Sequence, residues 1–228
     1  MLGKVITLFA VLGSLSMSTQ AFAPHRGTNR LFLDTAETAE WDSLIPTGIF
    51  HGITTNPTLL ERAGHDCTIE QVQKLSLKAL NMVGCDEFMC QAWGPTVEDM
   101  FNVGMQLSEI DRERIVIKVP VTFEDQAITA CGIGAEYLAP YLGRMNDNGK
   151  NGIEECERMQ SIADGMGSNT RILVASIRDV KSMGDLICKG MDTFTFNPDI
   201  ARELFKEQLT ISAAEEFEAA AARNGGSK

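Results

Sequence analysis

The chain has 228 residues, 44% hydrophobic and 22% charged, which suits one globular domain with a sizeable core. Its formal net charge of −11 would repel nucleic acid and anionic membrane surfaces, so we exclude both as main partners. An anionic substrate would need a local cluster of basic side chains.

The first residues differ in kind from the rest. Lys4 precedes the apolar run VITLFAVLGSL, which is too short to span a bilayer and is followed by small residues. We predict a signal peptide over residues 1–21, a short transit-like segment over residues 22–29, and one domain over residues 30–228. A stray amphipathic leader or a weak anchor is the alternative. The mature form is expected to have no membrane association.

Six scattered cysteines form no C-x-x-C pair and no cluster with several histidines, so we expect free thiols, no metal site and a reducing compartment. The AFAP sequence at residues 21–24, followed by HRGTNR, resembles the bipartite plastid leader of algae with secondary plastids. That resemblance implies a plastid location, which would reconcile a secretory-type signal with free thiols.

Short apolar runs alternate with helix-like stretches from Arg30 onward, the pattern of an α/β protein with a parallel sheet. The predicted strands cover residues 30–34, 49–55, 86–91, 114–121, 135–140, 171–176 and 192–196. The predicted helices cover residues 35–46, 57–63, 68–83, 96–110, 124–132, 152–166, 178–189, 199–208 and 210–223. The apolar face of the last helix would fit its own domain or a neighbouring subunit of a homo-oligomer.

Repeated βα units are typical of a doubly wound sheet or of a TIM (β/α)8 barrel. The G-x-G-x-x-G sequence that would favour the first is absent after the first strand. Polar residues recur instead where strands end, and barrel enzymes carry their chemistry there. These residues are Asp34, Asn56, Gln91, Lys118 and Ser176.

Asp34 ends the first strand, where its carboxylate could shuttle protons or could cap the helix that follows. The sequence GITTNPTLLERAG places hydroxyls at Thr54 and Thr55 just before Asn56, which can cap a helix opened by Pro57. Capping would explain Asn56 but leaves the threonine pair on an apolar strand without a purpose.

Lys118 lies between Ile117 and Val119 in the strand IVIKVPV. Burial would penalise its charged form, lower its pKa and make the amine available for a Schiff base with a carbonyl substrate. The alternatives are a lysine whose amine reaches solvent or one paired with a buried carboxylate.

Two later strands are followed by residues that could hold a phosphate. APYLGRMND presents Tyr141, Arg144 and Asp147, and VASIRD presents Ser176 and Arg178. Two arginines and a serine can bind a phosphate, with the guanidinium groups giving two parallel hydrogen bonds. Surface ion pairs with Asp147 and Asp179 are the alternative.

Together, LFLDTA, GIFHGITTNPTLL, IVIKVPVT, GAEYLAPYLGRMND and ILVASIRD resemble the transaldolase family, including its fructose-6-phosphate aldolase-like branch, in family order. The resemblance implies transfer of a dihydroxyacetone unit between sugar phosphates in the pentose phosphate pathway, without metal or cofactor. Its implied catalytic residues are Lys118 (Schiff base), Asp34 (acid/base), and Gln91 and Tyr141 (positioning of water). Its implied substrate-binding residues are Thr55, Asn56, Arg144, Ser176 and Arg178.

Only twelve residues, 123–134, separate the fourth and fifth predicted strands, enough for one crossover helix. Related sequences carry a further helix and strand here, including a threonine that helps orient the catalytic water. We therefore predict an incomplete barrel of seven strands that lacks the family's fifth strand, with a seam between Asp125 and Gln126. The functional hypotheses are a transaldolase, a fructose-6-phosphate aldolase, and an impaired or mis-spliced relative.

Overall fold

The computed structural model describes residues 29–119 and 126–224, in which strands and helices alternate. The predicted signal peptide and nearly all of the transit-like segment lie outside the described residues, as does Asp125 at the predicted seam. The strands are Arg30–Asp34 (β1), Gly52–Thr54 (β2), Glu87–Gln91 (β3), Ile115–Lys118 (β4), Tyr137–Leu138 (β5), Arg171–Val174 (β6) and Thr193–Phe196 (β7).

The helices pack outside the strands. They are Thr38–Leu44 (α1, followed by the 3-10 turn Ile45–Thr47), Pro57–Arg62 (α2), Ile69–Leu80 (α3), Val97–Ser108 (α4), Gln126–Gly132 (α5), Leu142–Asp147 (α6), Gly152–Gly165 (α7), Val180–Cys188 (α8), Pro198–Glu203 (α9) and Gln208–Arg223 (α10). Among the described residues, no helix is both long and apolar enough to cross a membrane.

The seven strands are parallel and lie in the order β4-β3-β2-β1-β7-β6-β5. The first and last strands of the chain are neighbours, as in a barrel, but β4 and β5 lie at the two edges and do not pair with each other. The sheet is thus a curled half-barrel, which confirms the predicted incomplete TIM-type fold.

Strand alternation divides the apolar residues between two sides of the sheet. Leu33 packs toward the helices in the large outer core, together with Trp41 and Phe88. Phe32 belongs to a small inner cluster with Met89 and Leu173. The inner cluster is small because an open barrel encloses few side chains.

A polar cluster crosses the interior at the amino ends of the strands. The Tyr137 hydroxyl on the edge strand β5 donates to Glu87 Oε2 on β3 at 3.0 Å, and the Arg30 guanidinium contacts Tyr137 and binds Glu136 at 2.9 Å. Burial is the largest cause of the raised pKa of Tyr137. The phenol therefore stays protonated and can donate a hydrogen bond. Because β3 and β5 are far apart in the sheet order, these bonds connect the two arms of the half-barrel.

All six cysteines are free thiols, as predicted, and four of them are buried. The element predictions were right in kind and order, and they missed only the short helix α6. The alternative role of Asp34, as a helix cap, is wrong. Helix α1 begins at Thr38 with Glu37 at its N-cap, because Thr35 still extends the strand by donating to the Thr54 carbonyl at 3.1 Å.

Candidate functional site

A cleft of about 820 Å³ lies at the carboxyl ends of the strands. Its wall includes most of the predicted site residues, namely Asp34, Asn56, Gln91, Tyr141, Arg144, Ser176 and Arg178. Among the described residues that line it, four are basic, Arg62, Arg144, Lys150 and Arg178, and Asp34 is the only acid. A protein with a net charge of −11 therefore carries the local basic cluster that an anionic substrate requires.

Lys118 ends β4 and lies opposite Gln91 in the register of β3 and β4. Its residue is half-buried, and the cleft wall reaches Gln91 rather than Lys118 itself. Burial lowers the pKa of Lys118, while the charge of Asp34 and the neighbouring Cys90 act in the opposite direction. Since the net pKa is lowered, the neutral amine, which is the nucleophilic form, becomes accessible at lower pH than for an ordinary lysine.

Cys90, next to Lys118, has the opposite character. Burial raises its pKa to about 12, although the charge of Lys118 partly offsets this. The thiol therefore stays protonated and is a poor nucleophile. Lys118 is the group in this part of the site whose environment favours the reactive form.

Asp34 lies beside Thr54 at the ends of β1 and β2, which the sheet register places opposite each other. The Thr54 hydroxyl donates to Asp34 Oδ1 at 2.6 Å and also lies 2.6 Å from Thr195 Oγ1. Sequence reasoning missed Thr195. The alternating threonines of DTFTF are a signal for one polar face of β7, but nothing local relates that face to Asp34.

Thr55 and Asn56 have different environments. Thr55 is buried, does not line the cleft, and its hydroxyl has no hydrogen-bond partner among the described residues. Asn56 caps helix α2 by accepting from the Leu59 N–H at 3.1 Å, and its residue also lines the cleft. The cap therefore fixes the position of Asn56, and both proposed roles of this residue are compatible.

Tyr141 and Arg144 lie together at the start of α6. The Arg144 guanidinium stacks over the Tyr141 ring at 5.0 Å from the centroid and forms no ion pair with another described residue. Burial is the largest cause that raises the pKa of Tyr141, the charge of Asp34 adds to it, and Arg144 opposes it. The phenol is thus a neutral hydrogen-bond donor beside a guanidinium that no described carboxylate neutralises.

Ser176 and Arg178 follow β6 and approach α6 closely. Ser176 has φ +58°, the only non-glycine residue with positive φ among those described, and its carbonyl accepts from the Gly143 N–H at 3.1 Å. A Cβ at Gly143 would lie 2.5 Å from Arg178 Nε and 2.6 Å from the Ser176 oxygen. Glycine is therefore required for the two segments to meet. Strained backbone of this kind is concentrated at functional sites.

Arg178 is paired in this structure. Its Nη1 donates to Asp147 Oδ1 at 2.6 Å and its Nη2 to Oδ2, so the ion pair that was the alternative to phosphate binding is present. These bonds lower the pKa of Asp147. Since both side chains are exposed, the pair is weak and a phosphate can compete for the guanidinium.

Among the described residues, no group of three or more histidine, cysteine, aspartate or glutamate side chains is arranged to hold a metal ion. Sequence reasoning missed Thr195 and Gly143. It also missed Arg62 and Lys150, which line the cleft. Both occur in sequences that read as helix ends or loops, where only the tertiary fold decides which side chain borders the cleft.

Comparison with known proteins agrees with this arrangement. The sequence model of the Transaldolase/Fructose-6-phosphate aldolase family matches residues 31–131 and 123–226. A probable transaldolase of Phenylobacterium zucineum is 29% identical, covering 87% of this chain and 99% of that protein. A probable transaldolase of Novosphingobium aromaticivorans is 31% identical, covering 86% and 98% respectively.

A crystal structure of dihydrodipicolinate synthase from Rhodopseudomonas palustris superimposes with a TM-score of 0.50 at 10% identity, covering 87% of this chain and 80% of that one. At such low identity the likeness concerns the fold alone. The family match extends over most of the described residues and includes both the Lys118 strand and the arginine segments. The chain therefore belongs to the transaldolase/fructose-6-phosphate aldolase family.

Proposed function

We propose that this chain is built to transfer a dihydroxyacetone unit between sugar phosphates, as a transaldolase of the pentose phosphate pathway, through a Schiff base on Lys118. The observation that carries the proposal is a lysine of lowered pKa, Lys118, at a strand end opposite Gln91 of a cleft lined by basic residues, within the electrostatic influence of Asp34. A carbonyl-reactive amine and an anion site are the two parts that this reaction needs.

In the proposed reaction the neutral amine of Lys118 attacks the C2 carbonyl of a ketose phosphate, and the carbinolamine loses water to give a protonated imine. The imine draws electrons from the C3–C4 bond, which breaks to release an aldose phosphate and leaves an enamine. The enamine adds to the aldehyde carbon of a second aldose phosphate, and water then releases the new ketose. Asp34 would transfer the protons, through a water positioned by Gln91 and Tyr141.

Arg144, Ser176 and Arg178 would hold the phosphate of the sugar. Arg144 forms no ion pair with a described carboxylate, whereas Arg178 must exchange its Asp147 partner for the phosphate. Charge-assisted bonds from two guanidinium groups are strong enough to orient the substrate. Asn56 would bind the dihydroxyacetone part, and buried Thr55 would act only if the cleft extends to its hydroxyl.

A fructose-6-phosphate aldolase is the second candidate, because Gln91 and Tyr141 both line the cleft and by resemblance suit that branch. It would use the same lysine but release free dihydroxyacetone. The two are separated by incubating the protein with fructose 6-phosphate, with and without an aldose phosphate acceptor. A transaldolase gives a new ketose phosphate only with the acceptor. Dihydroxyacetone released without an acceptor would favour the aldolase.

A third candidate is an impaired or mis-spliced relative that lacks one helix and one strand. The Phenylobacterium relative aligns over 221 residues, but 87% of this chain supplies about 198, so about 23 positions, close to one helix with its strand, have no counterpart. The two family matches also overlap around the seam rather than forming one continuous match.

Exposed apolar side chains on both sides of the gap between β4 and β5 also support the third candidate, a chain that lacks one helix and one strand. Val97, Phe101 and Met105 form an exposed stripe on α4 beside the edge strand β4, and Ile128 and Ile133 are exposed near β5. A further helix and strand between β4 and β5 would cover such residues and close the barrel. Sequencing the transcript across the codons of Asp125 and Gln126 tests this. Extra codons in the transcript would identify the present chain as incomplete.

We also propose that the leader directs the protein to a plastid. The support is the AFAP sequence after the apolar run in residues 1–24. A fluorescent protein fused to residues 1–29 should accumulate in plastids of an alga with secondary plastids. Substitution of Phe22 by alanine should divert it, and an unchanged plastid signal would contradict the role of this motif.

A further inference from the structure

The hydroxyl of Thr195 is part of a hydrogen-bonded chain that ends on Asp34, and the proposed reaction gives it no role. Thr54 Oγ1 lies 2.6 Å from Asp34 Oδ1 and 2.6 Å from Thr195 Oγ1. We propose that Thr195 is a positioning residue, which acts through Thr54 to orient the Asp34 carboxylate. The inference rests on the proposed function only in that Asp34 takes part in the reaction.

The direction of the two hydrogen bonds follows from the number of protons. An ionised carboxylate only accepts, so the Thr54 hydroxyl uses its one proton to donate to Asp34. The proton between the two threonines must then come from Thr195, which donates to the Thr54 oxygen. Hydrogen bonds in such a chain polarise one another, so the Thr195 donor strengthens the bond that Asp34 receives.

Three adjacent strands hold the chain in place. Asp34 on β1 lies opposite Thr54 on β2, and β7 pairs with β1 on the other side, with Thr195 opposite Phe32. Thr54 and Thr195 are 0% and 1% exposed. Bulk water therefore cannot replace either hydroxyl, and a lost partner would leave a buried polar group unsatisfied.

Few other groups act on Asp34. The charge of Lys118 on β4 and the phenol of Tyr141 at the start of α6 both couple to it electrostatically, and Cys90 on β3 couples to Lys118. None of these three forms a hydrogen bond to Asp34 among the described residues. Thr54 is the donor that fixes the orientation of the carboxylate, so its own support by Thr195 matters.

The test is the NMR chemical shift of the Asp34 carboxyl carbon at neutral pH, in protein labelled with carbon-13 at aspartate carboxyl groups, with Asp34→Asn identifying the signal. In Thr195→Val the signal should move away from its wild-type chemical shift, because the carboxylate loses part of its hydrogen-bond support. Thr195→Ser, which keeps the hydroxyl, should restore the wild-type chemical shift. Thr195→Ala is measured in parallel, in case the valine variant does not fold.

Thr193→Val is the matched control. Thr193 is buried on the same strand, but its hydroxyl donates to Asp192 at 2.7 Å instead of to the Asp34 chain. Its replacement should leave the Asp34 signal where it is. A wild-type chemical shift of Asp34 in both Thr195→Val and Thr195→Ala overturns the inference, as does an equal change in Thr193→Val, which would indicate general loosening of β7.

The chemical-shift measurement needs no substrate, so its result is separate from that of Schiff-base trapping. If no adduct forms on Lys118 but the Asp34 signal moves as expected, the proposed reaction fails and the hydroxyl chain stands. If the adduct forms but the signal does not move, the hydroxyl chain fails and the proposed reaction stands.

Discussion

Gly143→Ala should damage the proposed phosphate site because the added methyl group has no room. The new Cβ would lie 2.5 Å from Arg178 Nε, 2.6 Å from the Ser176 carbonyl oxygen and 2.9 Å from Ser176 Oγ. The arginine can rotate away, but the carbonyl cannot, because it accepts a 3.1 Å hydrogen bond from the Gly143 N–H itself. The substitution therefore forces α6 and the segment after β6 apart.

Overpacking of this kind costs about 1–3 kcal/mol, and the better helix propensity of alanine returns about 0.5–1 kcal/mol. The net loss should be about 1–2 kcal/mol in the free energy of unfolding. For a domain of this size that corresponds to a decrease of about 3–6 °C in Tm. Urea unfolding followed by circular dichroism measures the first quantity, and calorimetry the second.

Gly184→Ala is the control, because Gly184 is also helical, lies in α8, and has no atom within 4 Å of the position that a Cβ would take. It should be neutral or stabilising by up to about 1 kcal/mol. Inorganic phosphate should raise the Tm of wild type and Gly184→Ala, since a ligand of the folded state stabilises it. Gly143→Ala should need about tenfold more phosphate than wild type for the same increase in Tm. Equal stability and equal phosphate response of the two variants would refute the reasoning.

Three further predictions concern charge. Burial lowers the pKa of Lys118 in the folded protein from its ordinary value of 10.5. At any pH between this lowered pKa and 10.5, Lys118 is therefore protonated in the unfolded chain and neutral in the folded protein. Lys118→Met should therefore be more stable than wild type at pH 7 in urea unfolding, and the difference should shrink as pH rises to 10.5. Tyr137→Phe should lower the free energy of unfolding by about 1–3 kcal/mol in the same assay, because buried Glu87 loses the hydrogen bond from the Tyr137 hydroxyl. An unchanged urea midpoint would contradict this. Asp147→Asn should bind inorganic phosphate several-fold more tightly by calorimetric titration because Arg178 is no longer paired, and weaker binding would indicate that Asp147 orients the arginine.

The order of strands and helices could be predicted because each strand combines an apolar run with a turn signal, and each helix follows at short distance. The polar residues at the strand ends could be predicted for the same reason. Lys118 is an example, since a charge inside a run of β-branched residues is visible in the sequence itself.

Contacts that depend on the sheet could not be predicted. Asp34 has the sequence of a helix cap, and only the pairing of β1 with β2 shows that the strand continues and that Thr54 takes the carboxylate. Thr195 is separated from Thr54 by 141 positions in the chain, so no local pattern relates the two hydroxyls. The pairing of Arg178 with Asp147, rather than with a neighbour in sequence, likewise depends on how α6 meets the end of β6.

The central claim is that Lys118 forms a Schiff base, and borohydride trapping tests it most directly. The protein is incubated with fructose 6-phosphate, reduced with borohydride, digested and analysed by mass spectrometry. We expect a reduced sugar adduct on Lys118, absent without sugar and absent in Lys118→Met. An unmodified Lys118 in wild type, or an equal adduct on exposed lysines such as Lys74, would contradict the account.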